Sequence, residues 1–157
     1  MEVKPIGVIR TPFNKIDNMP VQPKGGMEIE GKVHVDCQYA QGLKDVEGFS
    51  HLYLLYLWHK AQQSQLIVKP FMDPSLRGIF STRSPSRPNP IGLSIVRLVK
   101  VDGSVLTIRG VDVLDGTPLI DIKPYIHAFD SVENSRSGWM RSSEDEVIQR
   151  RSDCRFQ

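Results

Sequence analysis

Eleven prolines and twelve glycines are spread along 157 residues, and that punctuation constrains the fold more than any other feature. Proline removes a backbone donor and glycine weakens a helix interior, so long helices have little room. What lies between the breaks is short and strand-like. Residues 28–36 alternate, with Ile29, Val33 and Val35 on one face and Glu30, Lys32 and His34 on the other, the pattern of a half-buried strand. Ile6 and Val8 mark a first strand that ends near Pro12. Residues 49–58, FSHLYLLYLW, are apolar on both faces and read as a buried central strand, with an uncapped helix as the rival. Residues 93–101 and 104–113 flank Asp102-Gly103, a dipeptide that tolerates the positive φ of a hairpin turn. Residues 119–122 make another short strand. Helix is expected over residues 39–46 and 143–151, the latter opening with a serine and then acids in its first turn.

Six or seven short strands joined by turns point to an all-β chain, mainly antiparallel, arranged as a sheet or barrel. The βαβ rhythm is missing, as are GxGxxG and GxxxxGK[ST], which disfavours a Rossmann site and a P-loop. No internal repeat is visible. The chain reads as one domain over residues 1–132, with a short polar tail over 133–157 whose later part is helical.

Hydrophobic residues make up 39% of the chain, enough for a core and too many for disorder. Twenty basic against eighteen acidic residues give a net charge of +2, so any nucleic-acid role must rest on a local patch. No apolar run reaches the ~18 residues of a membrane span, and MEVKPIGVIR lacks the apolar centre of a signal peptide. Cys37 and Cys154 form no CxxC and read as a reduced, cytoplasmic pair. His34, His51, His59 and His127 show no metal-ligand spacing, so a zinc enzyme is not expected.

Four stretches carry chemistry-bearing residues. The most unusual is FSTRSPSRPNPIGLS, residues 80–94, where Pro85, Pro88 and Pro90 bracket two arginines and an asparagine. Proline fixes its own φ and restricts the residue before it, so side chains here are held at low entropic cost. Between residues 74 and 101 stand Arg77, Arg83, Arg87, Arg97 and Lys100 without one acid. Arginine forks suit phosphate or carboxylate; the competing reading is a rigid surface loop whose arginines pair with distant acids. The second stretch is DVLDGTPLIDIKPY, residues 112–125. Its Asp-Gly turn is followed by Asp121 and Lys123 on one strand face, which also describes a plain turn and a solvent-facing ion pair. Trp58-His59-Lys60 ends an apolar strand, where scaffolds present functional groups, while His51 within that strand reads as a cross-strand or core histidine. Gln22-Pro23-Lys24-Gly25-Gly26 is a flexible polar loop that could equally be a connector.

GVIRTPF, FSHLYLLYLWH, GIFSTRSPSRPNPIGLS and DGTPLIDIKPY occur in the order typical of one family. With these motifs, spread from about Val3 to Tyr125, the chain resembles the TsaA-like, or TrmO-like, S-adenosylmethionine-dependent tRNA methyltransferases. The TRSPxRPNPIG block is highly specific. The resemblance implies a small closed or nearly closed β-barrel with short peripheral helices. It also implies a homodimer with S-adenosylmethionine near the subunit junction, and methylation of N6 of adenosine 37 beside the tRNA anticodon. In bacterial members that adenosine already carries a threonylcarbamoyl group. The chain lacks their longer C-terminal extension and looks more like the short archaeal members, which bears on tRNA selection.

The resemblance places cofactor contacts on Pro23, Lys24, His59, Lys60, Arg87, Ile95, Asp115, Gly116, Thr117 and Pro118. A cation among Lys24, Lys60 and Arg87 holds the methionine carboxylate, Asp115 accepts from an ammonium or hydroxyl, and Ile95 packs on adenine. Methyl transfer from a sulfonium needs alignment above all, and the delocalised N6 lone pair needs acceptors aimed at its protons. Asn89 and Asp121 are the side chains expected near N6, with Tyr125 as a supporting donor. Arg77, Arg83 and the tail's Arg136, Arg141, Arg150 and Arg151 are expected to face RNA; no metal is called for. A non-catalytic RNA-binding barrel and an S-adenosylmethionine-sensing homodimer are the alternatives.

Overall fold

The computed structural model describes residues 2–15, 17, 19–20, 27–140 and 144–153. In chain order its strands are β1 (Gly7–Arg10), β2 (Glu30–Val35), β3 (His51–Leu57), β4 (Ile67–Val68), β5 (Arg77–Gly78), β6 (Ile91–Asp102), β7 (Val105–Arg109) and β8 (Thr117–Pro124). Six of them close into a barrel in the order β1-β2-β7-β6-β3-β8, each neighbouring pair antiparallel. β4 and β5 pair only with each other, beside the barrel. Two short helices follow, α1 (His127–Asp130) and α2 (Glu144–Gln149). The expected all-β antiparallel barrel is therefore what the chain forms. No described helix is long and apolar enough to cross a membrane.

The barrel closes because alternate side chains on every strand find the same interior. Ile9, Val33, Leu52, Leu54, Val96, Leu106, Ile108 and Leu119 are all nearly fully buried and come from all six strands. Each such side chain contributes roughly 1.5–3 kcal/mol of transfer free energy. Gly92 is the inward residue opposite Tyr56, where a Cβ would lie 2.1 Å from the tyrosine ring. Glycine is thus required for the ring to enter the core.

Several local expectations shift. β1 runs over Gly7–Arg10 and turns Gly7 and Ile9 inward, a face that glycine leaves unmarked in the alternation, while Ile6 precedes the strand and packs against the core. Ile29 lies before β2 and is only half-buried; Gly31 takes the inward position. β3 is buried on one face only: its outer residues, His51, Tyr53, Leu55 and Leu57, are half-buried. The β6–β7 turn falls on Gly103-Ser104, one residue later than expected. Asp102 pairs with Val105, and only Gly103 takes positive φ, at 59°. β8 is longer than residues 119–122 and carries an irregularity at Ile120. Residues 39–46 are not α-helix. They fall in 3-10 turns at Cys37–Leu43 and Val46–Gly48, broken by Asp45 at φ 66°. Neither turn has a side-chain cap, and only Leu43 is buried, so nothing anchors a regular helix. The tail helix is shorter than expected; Ser143, like Cys154, lies outside the described residues.

Candidate functional site

Barrel closure sorts the loops to two ends. One end collects the stop of β3, the start of β6, the start of β8 and the stop of β1, since Leu57 faces Ile91, Tyr56 faces Leu119 and Ile9 faces Thr117. The proline-locked loop, His59-Lys60 and the Asp115–Pro118 turn therefore share this end. The sequence motifs that looked most chemical are thus brought together.

The proline-locked loop is pinned by its own polar atoms. Arg87 and Ile91 donate backbone N–H groups to the carbonyls of Pro85 and Asn89, both at 2.7 Å, and Gln65 donates to Ser86 O at 3.0 Å. Ser84 and Ser86 are buried. Arg87 Nη1 donates to Thr82 O at 2.8 Å and reaches the carbonyls of Ile79 and Ser84 at 3.4 Å. That nitrogen organises the loop. Asn89 is exposed at the tip.

The neighbouring turn is tied to β1. Asp115 accepts from Thr11 N at 3.1 Å and from Arg10 Nη1 at 3.3 Å. Thr11 Oγ1 donates to Val113 O at 2.8 Å and Thr117 Oγ1 to Leu114 O at 2.7 Å. Gly116 sits at φ 76° and donates to Ile9 O, a conformation that favours glycine. Thr117 is buried and Pro118 half-buried. An open cleft of about 280 Å³, lined by Arg10, Thr11, Pro12, Glu30, Gly31 and Lys32, lies beside this turn. On the β3 side, desolvation of the ring, reinforced by Lys60, pushes the His59 pKa down against a hydrogen bond that the ring donates to the Leu57 backbone. A neutral imidazole is thereby favoured at pH 7.

The sequence did not point to the polar chain beneath these loops. Tyr56 OH bonds Ser94 Oγ at 2.9 Å, and Ser94 Oγ donates to Asp112 Oδ1 at 2.8 Å. Burial pushes the Asp112 carboxyl up to about 6; the Ser94 bond, a backbone bond and the Arg83 charge pull the other way. Tyr56 is pushed well above its ordinary value by burial and then by Asp112. Asp112 thus ties the turn-bearing segment to the wall beneath the arginine loop, within reach of the Arg83 charge. The one sequence sign was Ser94, a hydroxyl at an inward position of an apolar strand.

Other expected residues lie elsewhere. Ile95 is mid-strand on the outer wall, opposite Tyr53. Asp121, opposite Leu55, is also on that wall, and its carboxylate meets Lys123 Nζ at 2.9 Å. Tyr125 is at the far end, donating its N–H to His51 O at 3.1 Å and meeting the rings of Tyr53, His51 and His127. Between the Leu57 and His51 levels run six residues of strand, roughly 20 Å at ~3.3 Å each. One protomer therefore does not bring Asn89 and Tyr125 together. Arg77 pairs with Asp73, while Arg83 and Arg136 are exposed. Pro23, Lys24 and Arg141 lie outside the described residues. No group of three or more described His, Cys, Asp or Glu side chains is arranged to hold a metal.

Comparison with known proteins gives a consistent set of similarities. Residues 8–131 match the model of the tRNA-methyltransferase O N-terminal domain. A probable S-adenosyl-L-methionine-binding protein of Pyrococcus abyssi is 48% identical over 153 residues, covering 98% of this chain and 83% of that protein. The tRNA (adenine(37)-N6)-methyltransferase of Escherichia coli is 34% identical over 148 residues, 88% of this chain and 63% of the enzyme. The crystal structure of TrmO from Pseudomonas aeruginosa superposes with a TM-score of 0.75 at 35% identity, over 88% of this chain and 62% of that one. The chain thus spans less than two thirds of both the Escherichia coli enzyme and the Pseudomonas aeruginosa structure.

Proposed function

The chain belongs to the TrmO family of tRNA methyltransferases, and on that premise we propose that it methylates N6 of adenosine 37 in tRNA, using S-adenosylmethionine. The preferred acceptor is an adenosine already bearing threonylcarbamoyl. The observation that carries this reading is the convergence of the arginine loop, His59-Lys60 and the Asp115 turn at one barrel end. The residues there fit the cofactor's chemistry: Lys60 and Arg87 can face a carboxylate, and Asp115 keeps lone pairs for a ribose hydroxyl or an ammonium. A tRNA substrate implies a cytoplasmic protein.

Bound S-adenosylmethionine supplies an activated methyl carbon and a neutral leaving group. The protein's task is to orient the acceptor nitrogen and remove its proton. Asn89, at the tip of a stiff loop, accepts from the N6 hydrogen and holds the lone pair toward the donor. Asp121 is the base that takes the proton, and Tyr125 donates to the acceptor base. Since Asp121 lies on the outer wall and Tyr125 about 20 Å from Asn89 within one chain, the reading requires a twofold dimer in which the partner subunit's Asp121 and Tyr125 complete the site. The outer wall of β3 and β6 suits such a contact. Ile91, Leu93 and Ile95 are 41%, 56% and 41% exposed there, beside half-buried Leu55 and Leu57.

The test is nucleoside mass spectrometry of tRNA incubated with the protein and S-adenosylmethionine, with and without prior threonylcarbamoylation. The expected product is the N6-methyl derivative at position 37; no methyl gain on either pool overturns the reading. A second reading, a sensor that binds S-adenosylmethionine without transferring it, is favoured by the name of the Pyrococcus relative. It predicts a rise in Tm with the cofactor and no labelled RNA.

A further inference from the structure

Phe80 is 75% exposed at the entrance to the arginine loop, an unusual place to leave an aromatic ring in water. The Arg87 guanidinium lies 5.9 Å from its centroid. One residue on, Ser81 O accepts from Trp139 Nε1 at 2.8 Å, which anchors a ring from the tail beside it. The Arg77 guanidinium lies 5.4 Å from the Trp139 centroid. Both arginines are held in place, Arg77 by the Asp73 carboxylate and Arg87 by the loop's carbonyls. Two rings and two fixed guanidinium planes thus occupy one patch, where Asp73 balances Arg77 and no further acid follows from residue 74 to 101.

We propose that Phe80 and Trp139, with Arg77 and Arg87, form a stacking platform for unpaired RNA bases flanking the acceptor adenosine. The inference deepens the tRNA reading and rests on it. Every base offers a π-face, so aromatic and guanidinium planes grip single strands with little sequence preference. The rival occupant is a second copy of this chain, since Leu66, Ile67 and Leu76 nearby are also exposed. A twofold contact centred here would set Arg87, held by backbone carbonyls rather than by a carboxylate, against its own image, and like charges across an interface oppose it. A polyanion meets no such repulsion.

The experiment measures binding of the full-length protein to a fluorescent anticodon stem-loop RNA and to a fully paired RNA of equal length. Phe80→Ala is expected to weaken stem-loop binding about tenfold, while paired RNA changes little. Phe80→Trp retains binding, and Phe80→Leu loses as much as Phe80→Ala, because the leucine restores apolar area without a ring. RNA quenches tryptophan emission in the wild type and less in Trp139→Phe. Thermal shift with S-adenosylmethionine and gel-filtration volume stay unchanged in all of them. Wild-type binding by Phe80→Leu, or a change of oligomeric state in Phe80→Ala without loss of RNA affinity, overturns the platform. Normal tRNA methylation together with unchanged RNA affinity in Phe80→Ala and Phe80→Leu sinks the platform and leaves the methyltransferase standing. Lost affinity in variants of a protein that methylates nothing supports the platform and sinks the enzyme.

Discussion

The two ends of this barrel are built by different means. At the end holding Asn89 and Asp115, long irregular segments are fixed by prolines and by side chains spent on backbone atoms, such as Arg87 on Thr82 O and Thr11 on Val113 O. At the other end the connection between β6 and β7 is a two-residue turn, and the half-buried rings of His51, Tyr53 and Tyr125 meet beside exposed His127. One end invests polar atoms in holding loops still. The other joins that tight turn to residues 36–50, a connection of 3-10 turns without side-chain caps. Preorganised chemistry belongs to the first.

A substitution in the wall common to both ends should not respect this division. Leu54→Ala is expected to cost about 2–5 kcal/mol, read as a lower denaturant midpoint with methyl transfer failing alongside. Asn89→Ala should act at one end alone, cutting turnover about a hundredfold or more with Tm unchanged. Equal loss of Tm and activity would show that the loop is structural. Tyr125→Phe probes the other end, and Leu93→Glu probes the outer wall two residues from the Leu57–Ile91 pair. If the partner completes the site, Leu93→Glu yields a monomer on light scattering and loses transfer while still binding S-adenosylmethionine; an active monomer would break the dimer reading.

Acidity offers a subtler separation. Asp112 is raised from an ordinary 3.8 to about 6 by burial, against the opposing pull of Ser94 and Arg83. The folded state therefore binds a proton more tightly than the unfolded one, and this stabilisation is complete below about pH 4 and lost as pH rises through about 6. Asp112→Asn keeps an acceptor for Ser94 and removes the buried charge. It should raise Tm at pH 8, leave it unchanged near pH 4, and flatten the profile between them. An unaltered profile would mean that Asp112 is not the titrating group. The smallest effect belongs to Lys100→Ala, which breaks an exposed ion pair with Asp102 at 3.1 Å and should leave Tm and activity alone, since such pairs contribute little.

What could be read from the chain follows from what side chains advertise. Val33 and Val35 announce β2 because valine and charge alternate there; Gly7 hides the inward face of β1 because a glycine advertises nothing. The stiffness of residues 80–94 is legible, since proline restricts geometry locally. The gathering of that loop with the Asp115 turn was read from family motifs and not from spacing. The separation of Tyr125 from Asn89 is a matter of register, fixed by pairings such as Leu57 with Ile91 that no local pattern encodes. Asp112 meets Ser94 across 18 positions, and Trp139 meets Ser81 across 58, so neither contact leaves a trace in any short window.

A ring of strands gives each member a neighbour on both sides, which leaves a visiting strand shorter stretches of free ladder than an open sheet offers. Along β6 the partner changes: residues 91–96 pair with β3, and residues 98–102 with β7. A contact made on the outer wall therefore runs mainly through side chains, and such a contact can be strengthened, redirected or abolished one substitution at a time.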